Sequence, residues 1–167
     1  MRTDSVALSD QAIAAARDLI RNAYGAEYMP ASARTYKNNA KNAQEAHEAI
    51  RPTNVQYSPA RVRSALTPDQ FRLYQIVWER FVACQMTPAK FNTTTVEIAA
   101  NTDAGTCTYK AGGRVLVFDG FTKVWQNKSK DQHLPELTVS QPLNAVDITA
   151  NQHFTKPPAR YTEASLV

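Results

Sequence analysis

Four short stretches of the chain concentrate groups able to hold or act on a phosphate. In Met1-Arg2-Thr3-Asp4-Ser5 an arginine stands beside two hydroxyl side chains. Its planar guanidinium fork matches a phosphodiester, and Thr3 and Ser5 can donate to phosphate oxygens; the alternative is a frayed terminus. In Ala43-Gln44-Glu45-Ala46-His47-Glu48-Ala49-Ile50-Arg51-Pro52, His47 and Arg51 are four apart. A helix would put both on one face, where they could contact adjacent phosphates or bracket a reacting one, or simply form a solvated face. A metal reading of Glu45, His47 and Glu48 fails, because the helical zinc pattern needs a second histidine at i+4. The basic run from Arg34 to Lys41 contains Tyr36. Aromatics among cations can stack on bases while the charges hold the backbone, although a plain solvated loop also accounts for it. In Lys156-Pro157-Pro158-Ala159-Arg160-Tyr161-Thr162-Glu163-Ala164-Ser165, two prolines lead to Thr162 as a helix cap. Arg160 then stands beside a helix N-terminus, a place that receives phosphate.

The elements that must position these stretches are legible from caps and periodicity. Ser9 is an N-cap, Ile13, Ala16, Ile20 and Tyr24 recur on one helical face, and Gly25 stops the helix. Residues 28–42 have no period and read as a basic loop. Ala43 to Ile50 predicts a short helix that Pro52 ends. Thr67-Pro68-Asp69-Gln70 supplies a capping box with proline at the first helical position. Phe71, Tyr74, Trp78, Phe81 and Val82 then follow at helical spacing, Leu73 and Val77 widening the apolar face, until Pro88. That aromatic stripe is better explained as core than as a base-stacking platform. After Phe91 the pattern turns to β. Thr93 to Ile98 alternates, Gly112-Gly113 precedes Arg114 to Phe118, and Asp119-Gly120 offers a turn, so two or three antiparallel strands are expected. Residues 127–136 read as a charged loop, with further strands at Leu137 to Val139 and Ala145 to Ile148. The fold class is therefore α+β, with an internal boundary near residue 90.

Composition bounds the function classes. The 167 residues suffice for a real core, and 43% hydrophobic with 20% charged residues argues against wholesale disorder. The longest apolar runs, such as Val115 to Phe118, fall far short of a membrane span, and residues 1–5 give no secretory signal, so the expected location is cytoplasmic. Cys84 and Cys107 form no CxxC pair, which favours reduced structural thiols over zinc. A formal charge of +4 and an isoelectric point near 9.1 favour a polyanionic partner, although many basic proteins bind nothing anionic.

Taken in order, these stretches resemble the bacterial type IA DNA topoisomerase I family. That family carries a tyrosine followed at once by Met-Arg-Thr-Asp-Ser, then Ala-Gln-Glu-Ala-His-Glu-Ala-Ile-Arg-Pro. A segment like Leu73 to Met86 comes next, and finally one like His153 to Leu166. The resemblance covers essentially the whole chain. It implies an isomerase that relaxes negatively supercoiled DNA by tyrosine attack on one strand, a transient 5′-phosphotyrosyl bond, and resealing. By resemblance, Arg2 and His47 belong to the catalytic machinery, Arg2 contacting the scissile phosphate. Arg2, Thr3, Ser5, His47 and Arg51 would bind DNA near it, and Arg160 with Thr162 would hold single-stranded DNA. Residues 1–90 would be the helical part of the tyrosine-bearing domain, 91–155 a β-rich hinge segment, and 156–167 the start of a helical DNA-binding domain. The implied partners are single-stranded DNA and the remaining topoisomerase domains, without a membrane. Mg²⁺ would serve the full-length enzyme, with no metal bound by this chain, and the enzyme would associate with the bacterial nucleoid.

The departures set an expectation of their own. The nucleophilic tyrosine should precede Met1, and none of Tyr24, Tyr28, Tyr36, Tyr57, Tyr74, Tyr109 or Tyr161 lies in its motif. The acidic metal-binding domain is not in the sequence either. The 167-residue polypeptide alone is therefore expected neither to cleave nor to relax DNA. The alternatives are a non-catalytic single-stranded DNA-binding module and a non-functional truncated remnant.

Overall fold

The computed structural model describes residues 5–36, 48–126 and 131–163. The chain divides into two compact units, Met1–Leu134 and Pro135–Val167. In the first, helix α1 (Asp10–Ala23) starts where Ser9 predicts, the Ser9 hydroxyl accepting from the Ala12 amide, and it buries Ala12, Ala16 and Ile20. Gly25 follows at φ 112°, a left-handed conformation that lets the chain leave the helix. A single helical turn, α2 (Pro59–Val62), precedes the long helix α3 (Pro68–Cys84). Both halves of the Thr67 and Gln70 capping box are made, which fixes the N-terminus of α3 by local chemistry alone.

The core lies between α1 and α3. Ala12, Ala16 and Ile20 meet Trp78, Phe81 and Val82, closed by Val55, Met86 and Val124. From Tyr74 onward the aromatic stripe of α3 is thus core, while Phe71 at its start lies outside the cluster. Its polar edges are satisfied too, the Trp78 indole N–H donating to the Val55 carbonyl at 2.8 Å and the Tyr74 hydroxyl to the Tyr57 carbonyl at 2.6 Å. Leu73 does not widen the buried face as its spacing suggests: it is 64% exposed, because the helix turns it away from α1.

Beyond α3 a hairpin of two antiparallel strands, β1 (Lys90–Thr102) and β2 (Gly105–Phe118), pairs continuously, with one irregularity between Lys90 and Phe91. The turn falls at Asp103-Ala104, with Gly105 at φ 125°. Gly112-Gly113 therefore sits inside β2 and not before it. The reason is visible at Gly113: residues 131–134 run along this edge, and a Cβ there would come 2.9 Å from Leu134 Cγ. A third segment does join the sheet, but only as a bridge. Arg114 and Gln132 exchange backbone hydrogen bonds of 2.8 and 2.9 Å.

Two expected elements are not formed. The strands at Leu137 to Val139 and Ala145 to Ile148 are irregular chain, Val139 and Val146 each being 98% exposed with no ladder partner among the described residues. Their β propensity is real, but a strand needs a neighbour to accept its hydrogen bonds. Of the helix expected over Ala43 to Ile50, residues 43–47 lie outside the described residues and 48–50 are not helical.

Candidate functional site

Arg2, Thr3, Asp4 and His47 lie outside the described residues, as do Lys37 to Lys41 of the basic run. Of the first two stretches, Ser5, Glu48 and Arg51 are described, and one backbone hydrogen bond links the chain near Ser5 to the chain near Arg51. The Ala49 amide donates to the Ala7 carbonyl at 2.8 Å, so the chain following Ser5 runs beside the chain leading into Arg51. The Ser5 hydroxyl oxygen accepts from the Ala7 amide at 3.2 Å, a local turn that orders the approach and leaves the hydroxyl proton available. Arg51 is held in place. Its Nε and Nη2 donate to Glu48 Oε2 at 3.0 and 2.8 Å, and Nη1 donates to the Pro52 carbonyl at 3.3 Å. A guanidinium oriented in this way is ordered before any ligand arrives, and a phosphate competes with Glu48 for its fork.

The described part of the third stretch has a structural role. The Arg34 amide donates to Gln85 Oε1 at 3.3 Å and the Gln85 side-chain amide returns a bond to the Arg34 carbonyl at 2.9 Å. The Arg34 guanidinium reaches the Met86 carbonyl, and the Tyr36 hydroxyl donates to the Cys84 carbonyl at 2.7 Å. Both side chains clasp the C-terminal end of α3. In the second unit, Arg160 is exposed and Thr162 stands immediately before the helical residue Glu163, the position predicted for a cap.

Four of the described tyrosines have hydroxyl pKa values pushed up, not down. Burial raises the pKa of Tyr24, Tyr36 and Tyr74, and the hydrogen bond to Asp119 raises that of Tyr28. Each of these four holds its proton more firmly than a free phenol. Burial likewise pushes up the Cys84 thiol, which donates to the Phe81 carbonyl. Among the described residues no three His, Cys, Asp or Glu side chains converge to hold a metal ion, and no helix is long and apolar enough to cross a membrane. The sequence reading passes over Arg61, Arg63 and Arg72; the signal available is an Arg-x-Arg pair close to Tyr57 and a Phe71-Arg72 step.

Among solved structures, the fold is similar to full-length topoisomerase I from Thermotoga maritima. The match has a TM-score of 0.64 and 36% identity over 82% of this chain and 21% of that one. Residues 1–167 match the model of the family described as DNA topoisomerase, and the chain belongs to that family. It is 44% identical over its whole length to DNA topoisomerase 1 of Rickettsia conorii and 46% identical to that of Pseudomonas aeruginosa. The chain spans 22% and 19%, respectively, of the length of those two relatives.

Proposed function

We propose that this chain supplies the phosphate-positioning part of a type IA DNA topoisomerase, which relaxes negatively supercoiled DNA through a 5′-phosphotyrosyl intermediate. The observation that carries this reading is the Ala49 to Ala7 hydrogen bond. It sets Ala7, two residues after Ser5, against Ala49, two residues before Arg51, which supports a reading in which the two stretches act on the same phosphates. In this reading Arg2 contacts the scissile phosphate and His47 assists beside it. Thr3, Ser5 and Arg51 hold neighbouring phosphates, while Arg160 and Thr162 bind single-stranded DNA. Fixed positive charge close to phosphorus stabilises the extra negative charge of the pentacoordinate state without reorganisation. Residues 1–90 serve as part of the tyrosine-bearing domain, 91–155 as a β-rich hinge segment, and 156–167 as the start of a helical DNA-binding domain. Mg²⁺ serves the full-length enzyme through residues other than those described, and the enzyme works in the cytoplasm on nucleoid DNA.

The reading is tested by single-strand binding and plasmid relaxation. Arg2→Ala and Arg51→Ala should each weaken binding of a single-stranded oligonucleotide by about 1.5–3 kcal/mol, the worth of a charge-assisted hydrogen bond. The 167-residue chain itself should leave supercoiled plasmid unrelaxed with Mg²⁺ present. Unchanged affinity in both variants would remove the phosphate-positioning role, and relaxation by the chain would show that a nucleophile had been overlooked.

A further inference from the structure

We infer that Arg61, Arg63 and Arg72 rim a second DNA site, one that takes a nucleotide of a single strand. The inference rests on the DNA-handling function proposed above and adds a site to it. α2 and the 3-10 turn Arg63–Ala65 that follows carry the first two arginines, and the start of α3 carries the third. Together with Leu66, Pro68, Phe71 and Gln75, Arg63 and Arg72 line an open depression of about 370 Å³. Two of the guanidiniums are ordered by stacking, Arg61 lying 4.9 Å from the Tyr57 ring centroid and Arg63 4.8 Å from that of Phe71. Stacking holds the plane of a guanidinium and leaves its N–H edge free to donate. Among the described residues, no carboxylate forms an ion pair with Arg61, Arg63 or Arg72. Two cations without a carboxylate partner line the concavity, with Arg61 on the adjoining α2, an arrangement that the phosphates of one strand would complement.

The first turn of α3 contributes little to such an anion, because the Thr67 side chain already accepts from the Gln70 amide. The charge therefore comes from the side chains. What selects a single strand is the lining. Leu66, Pro68 and Phe71 give the depression apolar walls with room for one base, and only a base out of its duplex stack can reach them. Phosphates on the arginine rim with a base against these walls satisfy both features at once.

The test is the salt dependence of binding between the full chain and a short fluorescein-labelled oligothymidylate, followed by anisotropy. Arg61→Gln/Arg63→Gln/Arg72→Gln should lower the slope of log K against log salt by about 2, at ~0.7 for each single-strand phosphate that an arginine no longer neutralises. Arg61→Lys/Arg63→Lys/Arg72→Lys, which keeps the charges, should retain most of the slope. Arg72 makes no ring stack, so Arg72→Gln alone should still lower the slope by about 0.7 if the triple variant does not fold. An unchanged slope in these glutamine variants, in a protein whose binding still falls with Arg51→Ala, overturns this site and leaves the first reading intact. No binding by the unmutated chain overturns both. Equal weakening on a duplex of the same length overturns the base-in-depression assignment.

Discussion

Replacing Gln85 by alanine strands two backbone groups at once, the N–H and the C=O of Arg34, both of which its buried side-chain amide pairs with. The expected cost is about 2–4 kcal/mol, since an unsatisfied buried group costs roughly 1–3 kcal/mol and these two, being part-buried, fall in the lower part of that range. Urea unfolding should show a lower midpoint with an unaltered slope; an unmoved midpoint would mean that water replaces the amide. At this scale sequence reasoning is uneven. Ser9 and Thr67 declare themselves because a cap is an interaction between near neighbours. Gln85 does not, because its partner is far along the chain, and Tyr36 reads as a base-stacking residue or part of a solvated loop because nothing local shows that its hydroxyl is engaged with Cys84. Arg51 is ordered by Glu48 and the Pro52 carbonyl, but the backbone around it is not the helix that its sequence neighbours suggest.

Elements are joined at Gly120, which begins the 3-10 turn Gly120–Lys123 after β2. Its φ is +49°, and a Cβ would lie 2.5 Å from the Pro88 carbonyl carbon and oxygen and 2.6 Å from the Thr87 oxygen. Gly120→Ala must push apart the segments where the hairpin leaves the helices. A loss of about 2–4 kcal/mol is expected from backbone strain and overpacking together. Chemical denaturation measures it directly, and a loss below about 1 kcal/mol would show that the turn relaxes freely. The Asp119-Gly120 turn is readable, as are both long helices and the switch to β structure. The hairpin's own turn is not, because Gly112-Gly113 offers a stronger signal than Asp103-Ala104-Gly105 and the need for glycine under Leu134 is a tertiary fact. The two absent strands fail for the complementary reason, having suitable residues without a partner edge.

Across the first unit, Tyr28 and Asp119 tie the helical layer to the base of the hairpin through a 2.7 Å hydrogen bond. Burial pushes the Asp119 carboxyl up. The Tyr28 hydroxyl, the charge and hydrogen bond of Lys123 and a backbone hydrogen bond outweigh it, so the net pKa lies below the ordinary value. A depressed carboxylate contributes stability above its unfolded pKa, near 3.9, and loses it as pH falls through the lower folded value. The chain should therefore weaken on acidification below about pH 4, and Asp119→Asn should be less stable at neutral pH with a flatter acid limb. Parallel acid limbs in denaturation curves of the two proteins would discard Asp119 as the sensor. The hairpin rooted at this latch has a mechanical consequence. Thirteen residues of β1 pair without a break beyond the Lys90 and Phe91 irregularity, giving a ribbon about 40 Å long at ~3.4 Å per residue. Such a ribbon is a lever arm, and a rotation of about 10° at its root sweeps the Asp103-Ala104 tip through roughly 7 Å.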